Sequence, residues 1–443
     1  MASKVTGHLG SLTPFETAKL QETWIHLLRL CGQDIPDSSS HHLPPDHTAS
    51  HRQDHLQPQP NLHRPNAAGN SGAVSPITPT IFRELLWNFF QAEHPDVMVL
   101  RFLRARKWDV DDALGMLLST LKWRHEQGLD EIVARGELLS RQHYSAGTGE
   151  SQLDKNLVAQ YQSGKAFIRG ADKSGRPVFV VRVRLHHPDA QSPESMERFV
   201  LHNIETMRSI LRSQHSSGAG EKACLIFDLT GFGLKNMDFH VVKFLVLAFE
   251  ARYPEYLGVV LVHNAPWVFW GIWRVVKPWL DPVIAAKIQF TTSNGNGGGK
   301  DKTSGRLTEH IDPKNLEKSL GGTDDWVYKY HPPADGENHR MDNNESNRQI
   351  RERLKAERED LVRCFEGATI EWAAKGLNNQ GLMNGNAAGH GITEDDKERL
   401  QLAKKLQQSF WALDPYVRAR NPCHRSGLLG PNGEVAMDYK GPS

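Results

Sequence analysis

Few residues of this chain are spaced as the catalytic groups of an enzyme would be. The sequence contains no Walker A phosphate loop, no HExxH or GxSxG motif and no CxxC pair. The run GFG at 231–233 follows an apolar segment, but a dinucleotide-binding fingerprint needs a third glycine, and Asn236 occupies that place. His240 and His263 have no candidate nucleophile beside them. We therefore predict a binding protein that is not an enzyme, with no catalytic residue and no cofactor.

Metal ions, nucleic acids and secretion are disfavoured by the composition. The formal net charge is +1, which gives no general attraction for nucleic acid. The four cysteines stand far apart and match no metal-ligand spacing, so we expect reduced thiols in a cytoplasmic protein. The histidines between residues 41 and 63 lie in a polar, low-complexity stretch and are expected to be solvated. The start of the chain lacks an apolar signal segment.

The densest positive charge of the sequence lies in the run LRFLRARKW at 100–108. This run contains Arg101, Arg104, Arg106 and Lys107. Guanidinium groups in such a cluster can bind a phosphate through paired hydrogen bonds. They can equally be solvated charges on one face of a helix, and the residues alone leave both interpretations open.

The most apolar segment of the sequence runs from 256 to 279. Its first part, LGVVLV at 257–262, is typical of a buried strand, and the run NAP at 264–266 ends it. The aromatic residues that follow are Trp267, Phe269, Trp270, Trp273 and Trp279. A helix this apolar is not an ordinary surface helix, so we expect protein or lipid to cover it. Polar residues and a proline interrupt the uncharged run, which disfavours a membrane span and favours a soluble protein.

An α/β domain is expected around this segment. The apolar runs at 223–229 and 257–262 enclose a helix-period segment, which predicts two parallel strands joined by a crossover. The runs at 165–169 and 177–183 flank a DKSG turn and predict a hairpin. A long helix is expected to begin at 192–194, because Ser-Pro-Glu is a typical helix start.

Helices are predicted at both ends of the chain. Thr13, Pro14 and Glu16 form a capping-box start for a helix over 12–30, and three more helices are expected within 79–140. Another helix is expected over 312–320. Charged helices at 346–376 and 393–412 have few apolar positions, and their alternating charges are typical of a solvated pair. Docking on the domain, or binding of a protein partner, stays open for these two helices.

Several of these runs together resemble the CRAL-TRIO family of lipid-binding proteins. LRFLRARKWDVDDALGMLLSTLKWR (100–124) resembles the N-terminal helical lobe of that family. GRPVFVVRV, CLIFDLTGFG, ARYPEYLGVVLVHNAPWVFWGIWRVVKPWLDPVIAAKI and EHIDPKNLEKSLGG follow in the order of its lipid-binding lobe. The resemblance covers about residues 79–325, and the outer segments, such as LDPYVRARNPCHRSG, resemble a fungal branch of phosphatidylinositol-transfer-like proteins.

The resemblance implies an α/β CRAL-TRIO fold, in which a mixed β-sheet flanked by helices encloses one lipid. Proteins of this family remove a lipid from a membrane, shield its acyl chains and release it elsewhere without covalent chemistry. Covering roughly thirty methylenes, each worth about 0.8 kcal/mol, requires a nearly dry cavity, and the aromatic residues of 267–279 are its implied gate. The expected division is an amphipathic helix (1–31), a disordered linker (32–76), the helical lobe (77–140), the lipid-binding lobe (141–325, with a flexible insert at 292–305) and a charged helical extension (326–443).

The resemblance also implies the residues that bind the lipid headgroup. Arg106 of the RARK run, Glu255 of YPE and Lys287 match the phosphoinositol site of the family. Cations there would bind the phosphate, and a carboxylate would bind inositol hydroxyls. The family usually has a threonine three residues before the lysine, where this chain has Ile284. Loss of that hydroxyl removes a hydrogen bond worth about 1 kcal/mol.

Three hypotheses follow for the function. The first is exchange of phosphatidylinositol between membranes, which supports phospholipid homeostasis and vesicle trafficking, by a cytoplasmic protein that contacts membrane surfaces transiently. Gly233 and Lys235 replace the hydroxyls that contact phosphatidylcholine in the family, which argues against that lipid as a second ligand. The second hypothesis is a sterol, squalene-like or tocopherol-like cargo, favoured by Ile284. The third is a lipid-sensing regulatory module that recruits protein partners through its C-terminal helices.

Overall fold

The computed structural model describes residues 6–35, 77–138, 152–211, 219–293, 305–380 and 394–437. The predicted linker at 32–76 lies almost wholly outside these ranges, and so does most of the predicted insert at 292–305. The histidines between 41 and 63 are outside them as well.

The regular elements occur in the predicted order. The α-helices of the described residues are α1 (Pro14–Leu30), α2 (Pro79–Phe90), α3 (Pro95–Ala105), α4 (Val110–Glu126), α5 (Leu129–Arg135), α6 (Gln152–Gln162), α7 (Pro193–Ile210), α8 (Phe239–Leu247), α9 (Phe269–Val276), α10 (Pro282–Ala285), α11 (Leu307–His310), α12 (Glu345–Gln380), α13 (Glu394–Val417) and α14 (Pro422–Arg425). The strands are β1 (Ala166–Ala171), β2 (Pro177–Arg182), β3 (Ala223–Asp228), β4 (Leu257–His263) and β5 (Ile288–Thr291).

The five strands form one mixed sheet in the order β1-β2-β3-β4-β5. β1 pairs antiparallel with β2, which confirms the hairpin. The pairs β2–β3, β3–β4 and β4–β5 are parallel, with Cys224 opposite Val259, which confirms the crossover. One face of the sheet packs against α7 and α8. The other face is covered by four leucine and isoleucine side chains that follow β5: Leu307, Ile311, Leu316 and Leu320.

The helical lobe is built from α1 to α4. α1 begins as predicted, because the Thr13 hydroxyl accepts from the Glu16 amide and the Glu16 carboxylate accepts from the Thr13 amide at 2.7 Å. Its predicted apolar face, Leu20, Trp24, Leu27 and Leu28, is buried against the other helices of the lobe. This packing attaches the N-terminal segment to the domain.

The prediction of a helix over 312–320 is wrong. The chain forms two short 3₁₀ turns, Pro313–Asn315 and Lys318–Leu320, joined by two extended residues. The Thr323 amide donates to the Pro313 carbonyl at 2.7 Å, and the Gly322 amide donates to the Glu317 carbonyl at 3.1 Å. These bonds close a loop that places Leu316 and Leu320 under the sheet.

Of the alternatives left open for the charged C-terminal helices, the structure shows docking on the domain and not a solvated pair. α12 and α13 pair with each other, and their sparse apolar residues join the core of the helical lobe. The Phe365 ring packs edge-on against Trp24 and Trp87, with ring centroids 5.8 Å away in both cases. The Arg399 guanidinium forms a buried ion pair with Asp96 at 2.5 Å. Few apolar positions suffice because the chain's own helical lobe covers them.

Candidate functional site

An internal cavity of about 260 Å³ lies between the sheet and helices α7 to α10. Alternate side chains of three neighbouring strands form its floor: Phe179, Val181, Leu225, Phe227, Val260 and Val262. Only five of its thirty-four lining residues are polar: Lys165, His186, Asn203, Asn236 and Asp238. The cavity has room for about twenty times the ~10–15 Å³ that one water needs, and a lining this apolar suits a hydrocarbon chain.

One wall of the cavity is the helix α9. Its residues Phe269, Ile272, Trp273 and Val276 face the cavity. They are spaced at i, i+3, i+4 and i+7, which places them on one stripe of the helix. Trp267 precedes this stripe and is 86% exposed. The segment therefore has one face in the cavity and another at the surface.

Only two of the five aromatic residues expected at the gate line the cavity, namely Phe269 and Trp273. The Trp270 ring packs on Phe290 of β5 with centroids 4.9 Å apart, because it lies outside the cavity-facing stripe of α9. Trp279, which follows α9, packs edge-on against Phe239 at 5.9 Å. Together with Trp267, these two tryptophans do not contribute to the cavity wall. Trp270 instead attaches α9 to β5, and Trp279 attaches the segment after α9 to α8.

A cluster of charged side chains lies at the sheet edge where the parallel strands begin. The Glu255 carboxylate forms ion pairs with Lys222, at 3.1 Å, and with Lys287, at 3.6 Å. Lys222 immediately precedes β3, Lys287 immediately precedes β5, and Glu255 comes two residues before β4. The amino ends of neighbouring parallel strands meet at one edge of a sheet, which explains why these three residues come together. The structure thus brings Glu255 and Lys287 together.

The turn that carries Glu255 is held in an unusual backbone conformation. Glu255 has φ of +63°, in the left-handed region that a residue with a side chain seldom adopts. Its carbonyl oxygen accepts a hydrogen bond of 3.2 Å from the buried Arg101 guanidinium of α3. Strain of this kind costs about 1–3 kcal/mol and clusters at functional sites. The helical lobe therefore helps to fix the direction of the Glu255 side chain.

The electrostatics of the cluster keep the carboxylate charged. Burial alone would raise the pKa of Glu255, but Lys222 and Lys287 outweigh it and hold that pKa below its usual value. Burial lowers the pKa of Lys287, and the carboxylate opposes this effect. Glu255 is thus an acceptor for hydroxyl groups near neutral pH, while two ammonium groups beside it can bind an anion.

The structure does not bring Arg106 into contact with this cluster. Arg106 lies just after the end of α3 and is exposed. The arginine of the same run whose charge acts on Glu255 is Arg104, which is partly buried and pairs with Glu221 at 3.1 Å. Arg101 and Arg104 are three residues apart, so one helical face carries both toward the lipid-binding lobe. Arg106, beyond the last turn, does not share that face.

Ile284 lies where the cavity meets the charged cluster. It belongs to the short helix α10, lines the cavity and packs with the apolar core beside the sheet. Lys287 follows three residues later, at the start of β5. Ile284 therefore forms part of the apolar cavity wall, at the position where a threonine would place its hydroxyl between the cavity and the charged cluster.

Lys222 is the member of the cluster that the sequence reasoning missed. It stands directly before the apolar run of β3, just as Lys287 stands directly before that of β5. The parallel pairing of β3, β4 and β5 was predicted, and it brings the residues before these strands to the same edge. Reading those preceding residues together would have identified Lys222.

Other sites considered from the sequence are not formed in the described parts of the chain. Asn236 closes the GFG turn, because its side-chain oxygen accepts from the Gly233 amide at 3.0 Å, so the turn has no free phosphate cradle. Within the described ranges, no three His, Cys, Asp or Glu side chains are grouped as metal ligands. None of the described helices is both long enough and apolar enough to span a bilayer.

Comparison with protein families identifies two matching regions. The family model described as "CRAL/TRIO domain" matches residues 161–322, which include the sheet, the cavity and the charged cluster. The model described as "CRAL/TRIO, N-terminal domain" matches residues 72–119, which include α2 and α3.

Curated relatives match over larger parts of the chain. The CRAL-TRIO domain-containing protein C3H8.02 of Schizosaccharomyces pombe is 33% identical, over 96% of this chain and 93% of that protein. The phosphatidylinositol transfer protein CSR1 of Eremothecium gossypii is 35% identical, over 77% of this chain and 70% of its own length. The Sec14 cytosolic factor of Schizosaccharomyces pombe is 29% identical, over 51% of this chain and 74% of that protein. The similarity to the first relative includes the C-terminal helices as well as the lipid-binding lobe.

Proposed function

This chain belongs to the CRAL/TRIO domain family, and we propose that it binds phosphatidylinositol and exchanges it between membranes, thereby supporting phospholipid homeostasis and vesicle trafficking. The observation that carries this proposal is the cluster of Glu255, Lys222 and Lys287 beside an apolar cavity. A phosphatidylinositol headgroup combines a phosphate with a ring of hydroxyls, and the cluster combines cations with a carboxylate. The name of the relative CSR1, a phosphatidylinositol transfer protein, supports the same assignment.

Binding would rearrange the ion pairs of the cluster. Lys222 and Lys287 both pair with Glu255, and each would donate one or more of its hydrogen bonds to the phosphate instead. Glu255, held ionised by these lysines, would accept hydrogen bonds from inositol hydroxyls. The acyl chains would enter the cavity and gain about 0.8 kcal/mol for each methylene removed from water. No covalent step is required, so the protein would act as a carrier and not as an enzyme.

The surface beside α9 is proposed to contact the membrane. Large apolar side chains are exposed on and around the gate: Leu234, Phe239, Trp267, Val275 and Val283. Apolar groups exposed together mark interaction surfaces, and tryptophan is favoured at the bilayer interface. Since α9 is also a wall of the cavity, membrane contact at this surface would place the lipid next to the helix that must move.

Replacing Trp267 by alanine is expected to weaken vesicle binding about tenfold. The side chain is 86% exposed in the free protein, so its loss removes membrane contact without opening the core. Sedimentation with neutral vesicles measures the effect. Val327→Ala provides the control, because Val327 is 75% exposed beside residues that pack on the opposite face of the sheet. Equal binding of the Trp267 variant and the wild type would show that the membrane contacts another surface.

Replacing Ile284 by threonine is expected to raise the affinity for phosphatidylinositol about fivefold. The new hydroxyl would lie at the boundary between cavity and headgroup cluster and supply one hydrogen bond, worth about 1 kcal/mol. Ile284→Val is the matched control, because valine has the shape of threonine without the hydroxyl. Titration with a fluorescent phosphatidylinositol compares the two variants. If threonine and valine give the same affinity, the headgroup does not reach residue 284.

A transfer assay between vesicles tests the proposed function. Labelled phosphatidylinositol in donor vesicles should move to acceptor vesicles when the protein is added, and labelled phosphatidylcholine should not. Movement of a labelled sterol or tocopherol, with no movement of phosphatidylinositol, would overturn the proposal in favour of the same fold with another cargo. Arg106→Ala is included in the assay. Arg106 is exposed and lies outside the ion-pair cluster, so its proposed role requires that a bound phosphate reach the end of α3, and that role predicts slower transfer by the variant.

A further inference from the structure

The cavity wall contains a buried ammonium group far from the charged cluster. Lys165 is 3% exposed and lines the cavity. Its Nζ lies 3.2 Å from Nδ1 of His186 and 3.7 Å from the sulfur of Met196, and 5.6 Å from the centre of the Phe199 ring. Among the described residues, no carboxylate lies within ion-pair distance of this ammonium. A buried cation in such surroundings requires an acceptor.

Asp238 and His186 orient this group. The second ring nitrogen of His186, Nε2, lies 3.0 Å from the Asp238 carboxylate, which also accepts from the Val241 amide at 3.1 Å. With Nε2 donating to Asp238, Nδ1 of a neutral His186 has a free lone pair and accepts from Lys165. An ammonium has three donors, and His186 and the weak acceptor Met196 take two of them. The third is available for a ligand in the cavity.

The position of Lys165 separates it from the cluster of Glu255, Lys222 and Lys287. The Arg182 amide, at the carboxyl end of β2, donates to the Lys165 carbonyl at 2.7 Å. Glu255 and Lys287 precede the amino ends of β4 and β5, which run parallel to β2 through β3. Six residues of strand span about 20 Å, so the two sites lie at opposite edges of the sheet. One compact headgroup cannot contact both.

We propose that Lys165, oriented by His186 and Asp238, binds the carboxylate of a long-chain fatty acid whose hydrocarbon tail lies in the cavity. The site offers one ammonium in an otherwise apolar wall, which matches a compact anion on a single chain. A phosphorylated headgroup would need several further donors there, and Asn236 has its side-chain amide occupied by the Arg184 and His186 carbonyls. This inference rests on the proposed use of the cavity for lipids and adds a second class of cargo.

Binding of oleate and of methyl oleate to the full-length protein tests the inference. The two probes share the hydrocarbon chain, and only oleate has a charged carboxylate. Lys165→Met is expected to weaken oleate binding at least tenfold while changing methyl oleate binding less than twofold. Lys235→Met, which removes an exposed lysine, is the control for net charge. Unchanged oleate affinity in Lys165→Met, or an equal loss for both probes, would overturn the assignment.

The wild-type protein supplies a second test that needs no variant. Burial lowers the pKa of Lys165 to about 8, and the charge of Asp238 opposes that effect. The titratable groups that face Lys165 in the described structure are His186 and Asp238. Oleate affinity should therefore be greatest below pH 8 and fall as the pH rises through it, because the ammonium loses its proton; methyl oleate affinity should stay constant. A flat oleate profile would contradict the inference, whereas failure of wild-type phosphatidylinositol transfer would contradict only the proposed function.

Discussion

Replacing Lys222 and Lys287 together by methionine is expected to reduce phosphatidylinositol transfer at least a hundredfold. Both ammonium groups are partly buried and adjoin the carboxylate proposed to bind inositol. Hydrogen bonds to charged groups contribute about 1.5–3 kcal/mol each, so losing two of them costs about 3 kcal/mol or more. A hundredfold loss of affinity corresponds to ~2.8 kcal/mol. The vesicle transfer assay measures the rate, and titration with a fluorescent phosphatidylinositol measures the affinity.

The control must separate headgroup binding from fold stability. Lys314→Met with Lys318→Met removes the same charge from exposed positions and should leave transfer unchanged. Removing both lysines leaves Glu255 unpaired, so thermal unfolding of the Lys222 and Lys287 variant is measured alongside. If transfer and melting temperature fall in proportion, the cluster is a structural salt bridge. If transfer is unaffected, the headgroup binds elsewhere.

Replacing Val181 by tryptophan is expected to abolish binding of every lipid that uses the cavity. Val181 lies on the cavity floor and is only partly buried, so the larger ring can extend into the cavity. Cavities destabilise a fold by about 24 cal/mol for each Å³ of their volume, so a side chain that fills part of this one should leave the fold intact or stabilise it. Binding of phosphatidylinositol and of methyl oleate should both fall below detection in the same titrations.

Val327→Trp is the matched control for the cavity-filling variant. It adds the same ring at an exposed position, beside residues that cover the opposite face of the sheet. The control should bind lipid like the wild type. Continued lipid binding by Val181→Trp, in a protein shown to be folded by circular dichroism, would mean that the hydrocarbon chains lie outside this cavity.

The sheet and the main helix starts could be predicted because local patterns determine them. Thr13 and Glu16 cap α1 through contacts within one helical turn, and Ser192 caps α7 in the same way. The apolar runs of β3 and β4 need a crossover, and that parallel pairing also places Glu255 near Lys287. These features depend on residue types close together in the sequence.

The parts that were missed depend on contacts between distant segments. The pairing of Arg104 with Glu221 follows from which face of α3 meets the lipid-binding lobe, and residue spacing alone does not fix that face. Phe365 packs against Trp24, more than three hundred residues away in the sequence. Lys165 acquires its setting from His186 and Met196, on other elements. Tertiary packing therefore determined what the sequence patterns left open.

The most direct measurement of the central claim is the identity of the lipid that co-purifies with the protein from eukaryotic cells. Mass spectrometry of the extracted lipid should find phosphatidylinositol as the main species on the wild type, and the variant lacking Lys222 and Lys287 should retain little of it. Phosphatidylinositol that is absent or minor on the wild type, with another lipid bound in its place, would contradict the assignment of the cluster around Glu255.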